Sequence, residues 1–184
     1  MKKAIICLFM TLIMPVKGFS QLGEPITHHE SYFMPGAGYG FYFPEGLDTT
    51  GYYQGAIIEY LFFNKINQSD NWGPSHVRFY GKLQILKASS DKLESLLGYT
   101  LGIDYSIERN PKRNVLIPYF GIEVGGLSGK TYGTNFGFYP LVGLRFLAFK
   151  RVTWGVSGSY AYMVKDFEIF RGWQVQSTVN FSLW

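Results

Sequence analysis

Two short stretches of the chain hold residues that could do hydrolytic or metal chemistry. His28, His29 and Glu30 are consecutive, and Ser75 directly precedes His76. A serine, a histidine and a carboxylate together can carry acyl transfer, because the imidazole takes the serine proton and the carboxylate orients the imidazole. Adjacent histidines in an extended chain point to opposite sides, so His28 and His29 are poor joint ligands. We therefore predict no metal site and no cofactor site, and a lipid-modifying enzyme stays as the first alternative function.

A second set of residues is charged and lies at regular spacing among apolar residues. In the stretch VRFYGKLQI, residues 77–85, apolar or glycine residues alternate with Arg78, Tyr80, Lys82 and Gln84, which is the period of a β-strand. Charges withdrawn from water need compensation, so cations and carboxylates on one enclosed face predict a structural ion-pair network. The alternative is a gated polar pathway, which would make the protein a small channel. The predicted network comprises Glu59, Arg78, Lys82, Asp104, Glu123 and Arg145.

The elements that must position these charges are strands. Aromatic content of 18% together with 22 glycines is typical of β-structure with tight turns. Turn-forming clusters of Gly, Pro, Asn, Asp and Ser separate eight strand-like runs, most of them near the 9–11 residues that a membrane strand needs. The runs are residues 33–43, 52–63, 76–86, 96–107, 115–126, 136–148, 152–164 and 173–184, and the first two have the least certain register.

The two faces of the later strands differ in a way that identifies their surroundings. One face of runs three to eight is bulky, aromatic or branched and carries no charge, whereas the other is rich in Gly and Ser with a few charges of both signs. Charge on a lipid-facing strand costs about 2–4 kcal/mol at the bilayer midplane, and an eight-stranded lumen has room for little more than side chains. The sequence therefore predicts an all-β fold, an eight-stranded antiparallel transmembrane β-barrel. A secreted β-sandwich or lipocalin-like barrel is the less favoured alternative. Candidates for aromatic girdles are Tyr52, Tyr60, Trp154, Tyr160, Tyr162 and Trp173.

The first twenty residues are predicted to be a signal peptide. Lys2 and Lys3 precede an apolar run too short for a transmembrane helix, and small residues lie before Gln21. The domains are then residues 1–20, the signal, and residues 21–184, one barrel. Cys7 falls in the signal, so no disulfide can brace the barrel. Without Lys2, Lys3 and Lys17 the formal net charge falls from +4 to +1, and no basic stripe for nucleic acid is left.

With its signal, eight alternating runs and final strand WQVQSTVNFSLW, the chain resembles small outer-membrane barrels of the OmpA-transmembrane and OmpX type. The resemblance implies a location in the outer membrane of a Gram-negative bacterium, outer-membrane lipid as surroundings, and recognition of the C-terminal strand by the barrel-assembly machinery. Trp184 matches the aromatic residue that usually ends such chains, although it is out of phase with its strand. The implied orientation places residues 28–30 and Ser75–His76 at the inner rim, away from outer-leaflet lipid, so we predict no enzymatic activity.

A structural or interaction role is therefore the leading expectation, for instance as an accessory subunit of an envelope complex with protein partners. The outer loops on this orientation are residues 44–51, 87–95, 127–135 and 165–172, and their charges nearly balance. The last of them contains Phe167, Ile169 and Phe170. These apolar residues could mark a partner site, but extension of the strands as a protruding hairpin is the favoured interpretation.

Overall fold

The computed structural model describes residues 34–46, 51–69, 73–91, 93–107, 116–149, 152–165 and 167–181. The predicted signal peptide, His28 to Glu30 and Trp184 lie outside them. The elements are β1 (Met34–Pro44), β2 (Tyr53–Ser69), β3 (Gly73–Ala88), β4 (Leu96–Ile107), β5 (Leu116–Gly129), β6 (Gly133–Phe149), β7 (Val152–Met163), α1 (Phe167–Phe170) and β8 (Gly172–Phe181). In these ranges no helix is both long enough and apolar enough to cross a bilayer.

The eight strands form one closed barrel in which each pairs antiparallel with its neighbours in the chain. β1 also pairs with β8, from Gly36 opposite Asn180 to Pro44 opposite Gly172, and this seam closes the sheet. Closure leaves no strand edge with unpaired N–H and C=O groups. The predicted eight-stranded antiparallel barrel is confirmed.

The largest difference from the predicted strands lies between β2 and β3. Residues 64–75 were expected to be a loop, because the stretch NKINQSDNWGPS is polar and rich in turn formers. Instead the ladder continues from Asn64 opposite Arg78 to Ser69 opposite Gly73. Beyond the apolar part of a barrel a strand needs no alternating pattern, since cross-strand hydrogen bonds alone continue the pairing. The polar composition of residues 64–75 therefore predicted a loop where the structure has two paired strand ends.

The outward face carries no charged side chain at the described positions in the middle of the barrel. The bulky residues of β3 to β8 that are expected to face outward do so where their side chains are described, with Ile85, Val142 and Phe120 each more than half exposed. β1 turns Tyr39 and Phe43 outward, and β2 turns Ile58, Tyr60 and Phe62 outward, which settles the register of both strands. The six charged residues of the predicted network are all buried on the opposite face.

Glycines on the inward face of β1 make room for the side chains of β8. A Cβ added to Gly36 would meet the amide of Asn180, and one added to Gly38 would meet the carbonyl oxygen of Ser177 and the side chain of Thr178. Between Gly36 and Gly40 the inner wall of β1 is therefore bare backbone, against which polar side chains of β8 pack. Two strands with long inward side chains at the seam would not fit in a barrel this narrow.

We expect Gly38→Val to destabilise the barrel by about 1–3 kcal/mol, the usual cost of overpacking. The added atoms meet backbone of β8, which cannot move without opening the seam. The free energy of unfolding in urea, measured in detergent micelles, tests this. Gly158→Val is the matched control, because a Cβ there would meet a single atom, the carbonyl oxygen of Gln174, at 3.9 Å. Equal stability of the two variants would contradict the packing account.

Candidate functional site

The six predicted lumenal charges meet in one chain of alternating sign at the middle of the barrel. Lys82 Nζ lies 2.5 Å from Glu123 Oε1 and 3.7 Å from Glu59 Oε2. Arg78 Nη2 lies 3.7 Å from Glu59 Oε1 and 2.9 Å from Asp104 Oδ2. Asp104 Oδ1 in turn accepts from Arg145 Nη2 at 3.0 Å. From one end of the network to the other, the contacts run Glu123, Lys82, Glu59, Arg78, Asp104, Arg145. Three carboxylates and three cations therefore alternate without a gap.

Neutral side chains make hydrogen bonds with the charged groups in addition to the ion pairs. Thr100 Oγ1 donates to Glu123 Oε2 at 3.0 Å, and Asn180 Nδ2 donates to Glu59 Oε1 at 2.9 Å. Lys82 also donates to Gln176 Oε1 at 3.0 Å, and Gln176 Nε2 donates to Gln174 Oε1. A buried ion pair is tolerated only when its remaining donors and acceptors are satisfied in this way.

Two inward tyrosines, which the sequence analysis did not single out, enclose the cations. The Tyr80 hydroxyl donates to Glu123 Oε1 at 2.9 Å, and the Lys82 ammonium lies 4.9 Å from the centre of the Tyr80 ring. The Arg145 guanidinium lies 4.4 Å from the centre of the Tyr119 ring. Cations at these distances are attracted to the ring face. Both tyrosines stand on the charged parity of their strands, and that position was the signal available in the sequence.

The six residues of the network are shielded from solvent. Its charges are mutually neutralised, and every one of its six residues is at most 8% exposed. In the ranges that the structure describes, no group of three or more His, Cys, Asp or Glu side chains could hold a metal ion. Ser75 and His76 lie in β3, paired with Ile107 and Ser106 of β4, and their side chains are not described.

An apolar cluster fills the barrel above the ion pairs, at the end that carries the β1–β2, β3–β4, β5–β6 and β7–β8 connections. We call it the cap. Its buried members come from the ends of seven strands, β1 to β7, and from α1. The cap was not predicted from the sequence, because its strand residues lie on the polar parity. The buried members of the cap are Tyr42, Tyr53, Leu86, Leu96, Leu127, Tyr139, Ala161, Met163 and Phe170.

The β7–β8 connection takes part in the cap, so the protruding hairpin expected there is wrong. β7 ends at Met163, and α1 turns Phe170 into the mouth of the barrel, where it is 1% exposed. Tyr132 of the β5–β6 turn meets Phe170 edge to face at 5.0 Å, and the Tyr42 hydroxyl donates to the Phe170 carbonyl oxygen. Burial of an aromatic ring outweighs the extra ladder hydrogen bonds that a longer hairpin would have made.

Glu94 holds the turn that carries Tyr132. Its carboxylate accepts from the backbone N–H of Thr131 at 2.9 Å and of Tyr132 at 3.3 Å, and from the Thr131 hydroxyl at 3.3 Å. Partial desolvation acts to raise the pKa of Glu94, but these hydrogen bonds outweigh it and hold the pKa below its ordinary value. The β3–β4 connection is thereby fastened to the β5–β6 turn.

We expect Asp104→Asn to cost about 3–5 kcal/mol of folding stability, because it leaves Arg78 and Arg145 buried with their shared carboxylate gone. Glu45→Gln is the control. It removes the exposed pair with Arg171, at 3.3 Å, which contributes about 1 kcal/mol or less. Urea unfolding in micelles measures both. Similar losses in the two variants would show that the lumenal pairs add nothing beyond surface pairs.

We expect the Glu94 contact to be lost in acid and in the Glu94→Gln variant. Because the folded-state pKa is lowered, the stabilisation is present above the ordinary glutamate pKa and disappears as the pH falls through the folded value. NMR titration of the Thr131 and Tyr132 amide shifts measures it. The two amides should move together, with a midpoint below the ordinary pKa, and should not titrate in the variant. A midpoint above that value would contradict the assignment.

The fold has a counterpart among known structures. No family model matches the chain, and no curated protein matches it. The crystal structure of Neisserial surface protein A (NspA), an eight-stranded outer-membrane barrel, is similar with a TM-score of 0.60 and 14% sequence identity. The similarity covers 85% of this chain and 100% of the neisserial one. At this identity the likeness establishes the fold, which is that of an outer-membrane-type barrel, and leaves the activity open.

Proposed function

We propose that the protein is an integral outer-membrane β-barrel of a Gram-negative bacterium, without enzymatic activity, and that it has a structural or interaction role as an accessory component of an envelope complex. The observation that carries the proposal is the inverted polarity of the barrel. Charges are buried and paired in the lumen, while an uncharged apolar face points outward. A barrel in water would carry the opposite arrangement, since exposed apolar area of this extent is unfavourable there.

The filled lumen favours a structural role over transport. The ion pairs occupy the middle of the barrel, and the cap closes the end above them. A channel would require both layers to move, at the cost of leaving charges unpaired. This argues for the structural network rather than the gated polar pathway.

Partners would then meet the protein from outside the lumen. Outer-membrane lipid would surround the apolar face, and envelope proteins would meet the connections at the cap end, where Glu94 and the β5–β6 turn form a fixed surface. The barrel-assembly machinery would act on β8, because β8 makes the closing seam with β1.

We expect Trp173, which faces outward on β8 and is 56% exposed, to contact lipid chains in the reconstituted protein. Replacing Trp72, Trp154 and Trp184 by Phe leaves Trp173 as the only emitter. In phosphatidylcholine vesicles its fluorescence should be quenched by brominated acyl chains, which do not reach a tryptophan that lies in water. A protein that stays soluble without detergent, or a Trp173 quenched by iodide alone, would overturn the membrane location.

Conductance measurements on the purified protein distinguish a structural role from a channel. Planar bilayers containing the purified protein should show no steady conductance. A conductance that changes in Arg78→Ala or Glu123→Ala would place ions in the lumen and replace the proposed role by transport.

A further inference from the structure

A groove of about 570 Å³ lies on the outward face of the barrel across β2 to β6. Its volume is within the roughly 300–1,000 Å³ range of ligand pockets. Ile58, Leu83, Leu101 and Val124 are among its lining residues, and all four are about half exposed or more. The barrel exterior is therefore not evenly convex, and this part of it is concave.

The groove arises from a glycine and a β-bulge on neighbouring strands. Gly81 is the one residue of β3 between Phe79 and Leu83 that points outward, and it has no side chain to fill the surface. Next to it, the β2–β3 register shifts between Leu61 and Phe63, so that Phe62 is the extra residue. Bulges re-aim side chains in this way. The Phe62 ring leans over Gly81, where an added Cβ would come within 3.0 Å of it.

Aromatic pairs form the two sides. Tyr60 and Phe62 meet edge to face at 5.5 Å on β2, and Tyr99 meets Phe136 edge to face at 6.0 Å across β4 and β6. Edge-to-face pairs of this kind are a preferred arrangement of aromatic rings. Lys82 contributes only backbone to the floor, since its ammonium is inside the lumen with Glu123.

The shape of the groove suits a flexible occupant. Its lining comes from five strands and is uneven, because bulky aromatic side chains stand beside Gly81 and Gly125. A flexible hydrocarbon chain can follow such a surface.

The surroundings of the groove also favour a hydrocarbon chain. No charged side chain lines the groove, and its apolar lining is continuous with the outward band that we propose lies in the bilayer. We infer that the groove seats one acyl chain of a membrane lipid, holding it longer than the lipids that pass over the rest of the barrel. This inference rests on the proposed membrane location.

Photolabelling with a diazirine-bearing lipid tests whether the groove seats an acyl chain. The full barrel is reconstituted in phosphatidylcholine vesicles containing some phosphatidylcholine with a diazirine in one acyl chain, then irradiated and mapped by mass spectrometry. Adducts should be several-fold more abundant at Leu83 and Leu101 than at Val156 and Val175, which face outward on β7 and β8. Even labelling around the barrel would overturn the inference while leaving the membrane location intact.

Variants make the test specific to the groove. Gly81→Leu fills it and should abolish the enrichment, whereas Gly158→Leu adds the same atoms to the outward face of β7, where there is space, and should preserve it. Leu101→Trp is a second filling variant, used if Gly81→Leu does not fold. Enrichment that survives filling overturns the inference, as does protection of the groove in a barrel that runs as a dimer. Absence of adducts everywhere, with no flotation with vesicles, would instead overturn the membrane location.

Discussion

A closed barrel of eight strands leaves an interior only wide enough for side chains, and this limit governs most of the inward residues. Each of them has to be small, apolar and packed, or polar and paired. β1 satisfies the limit with glycine, β7 with glycine and serine, and β2 to β6 with charges that neutralise one another. The alternating chain of carboxylates and cations follows from that limit, because no buried charge has room for a hydration shell.

The ion pairs also connect strands that the ladder does not. Lys82 on β3 reaches Glu123 on β5, and Arg145 on β6 reaches Asp104 on β4. Asn180 on β8 reaches Glu59 on β2, across β1. Backbone hydrogen bonds fix which strands are neighbours, and these contacts across the lumen fix the cross-section of the barrel. A uniformly apolar filling would hold the barrel closed as well, but it would distinguish poorly between one register and another.

The fold and the membership of the ion-pair network could be predicted from the sequence, whereas the cap could not. Alternation with period two assigns each side chain to a face, so Arg78, Asp104 and Glu123 were placed on one wall by their parity alone. Which charged residues pair with one another depends on how far neighbouring strands are shifted along each other. The parity of a residue within its own strand does not give this shift. Phe170 lies in a connection, where no period applies, and its inward turn depends on Tyr132 from a different connection.

Two layers of different chemistry fill the lumen, an apolar cap and a layer of ion pairs. An apolar layer is unfavourable for charged solutes and an ionic layer is unfavourable for apolar ones, which agrees with the proposed non-transport role. Glu94 fastens the cap from outside through backbone amides that need no particular side chain. Evolution could therefore vary the exposed connections, or the aromatic walls beside Gly81, without disturbing the sealed interior. On the proposed function, any specificity of the protein resides in its loops and its outward face.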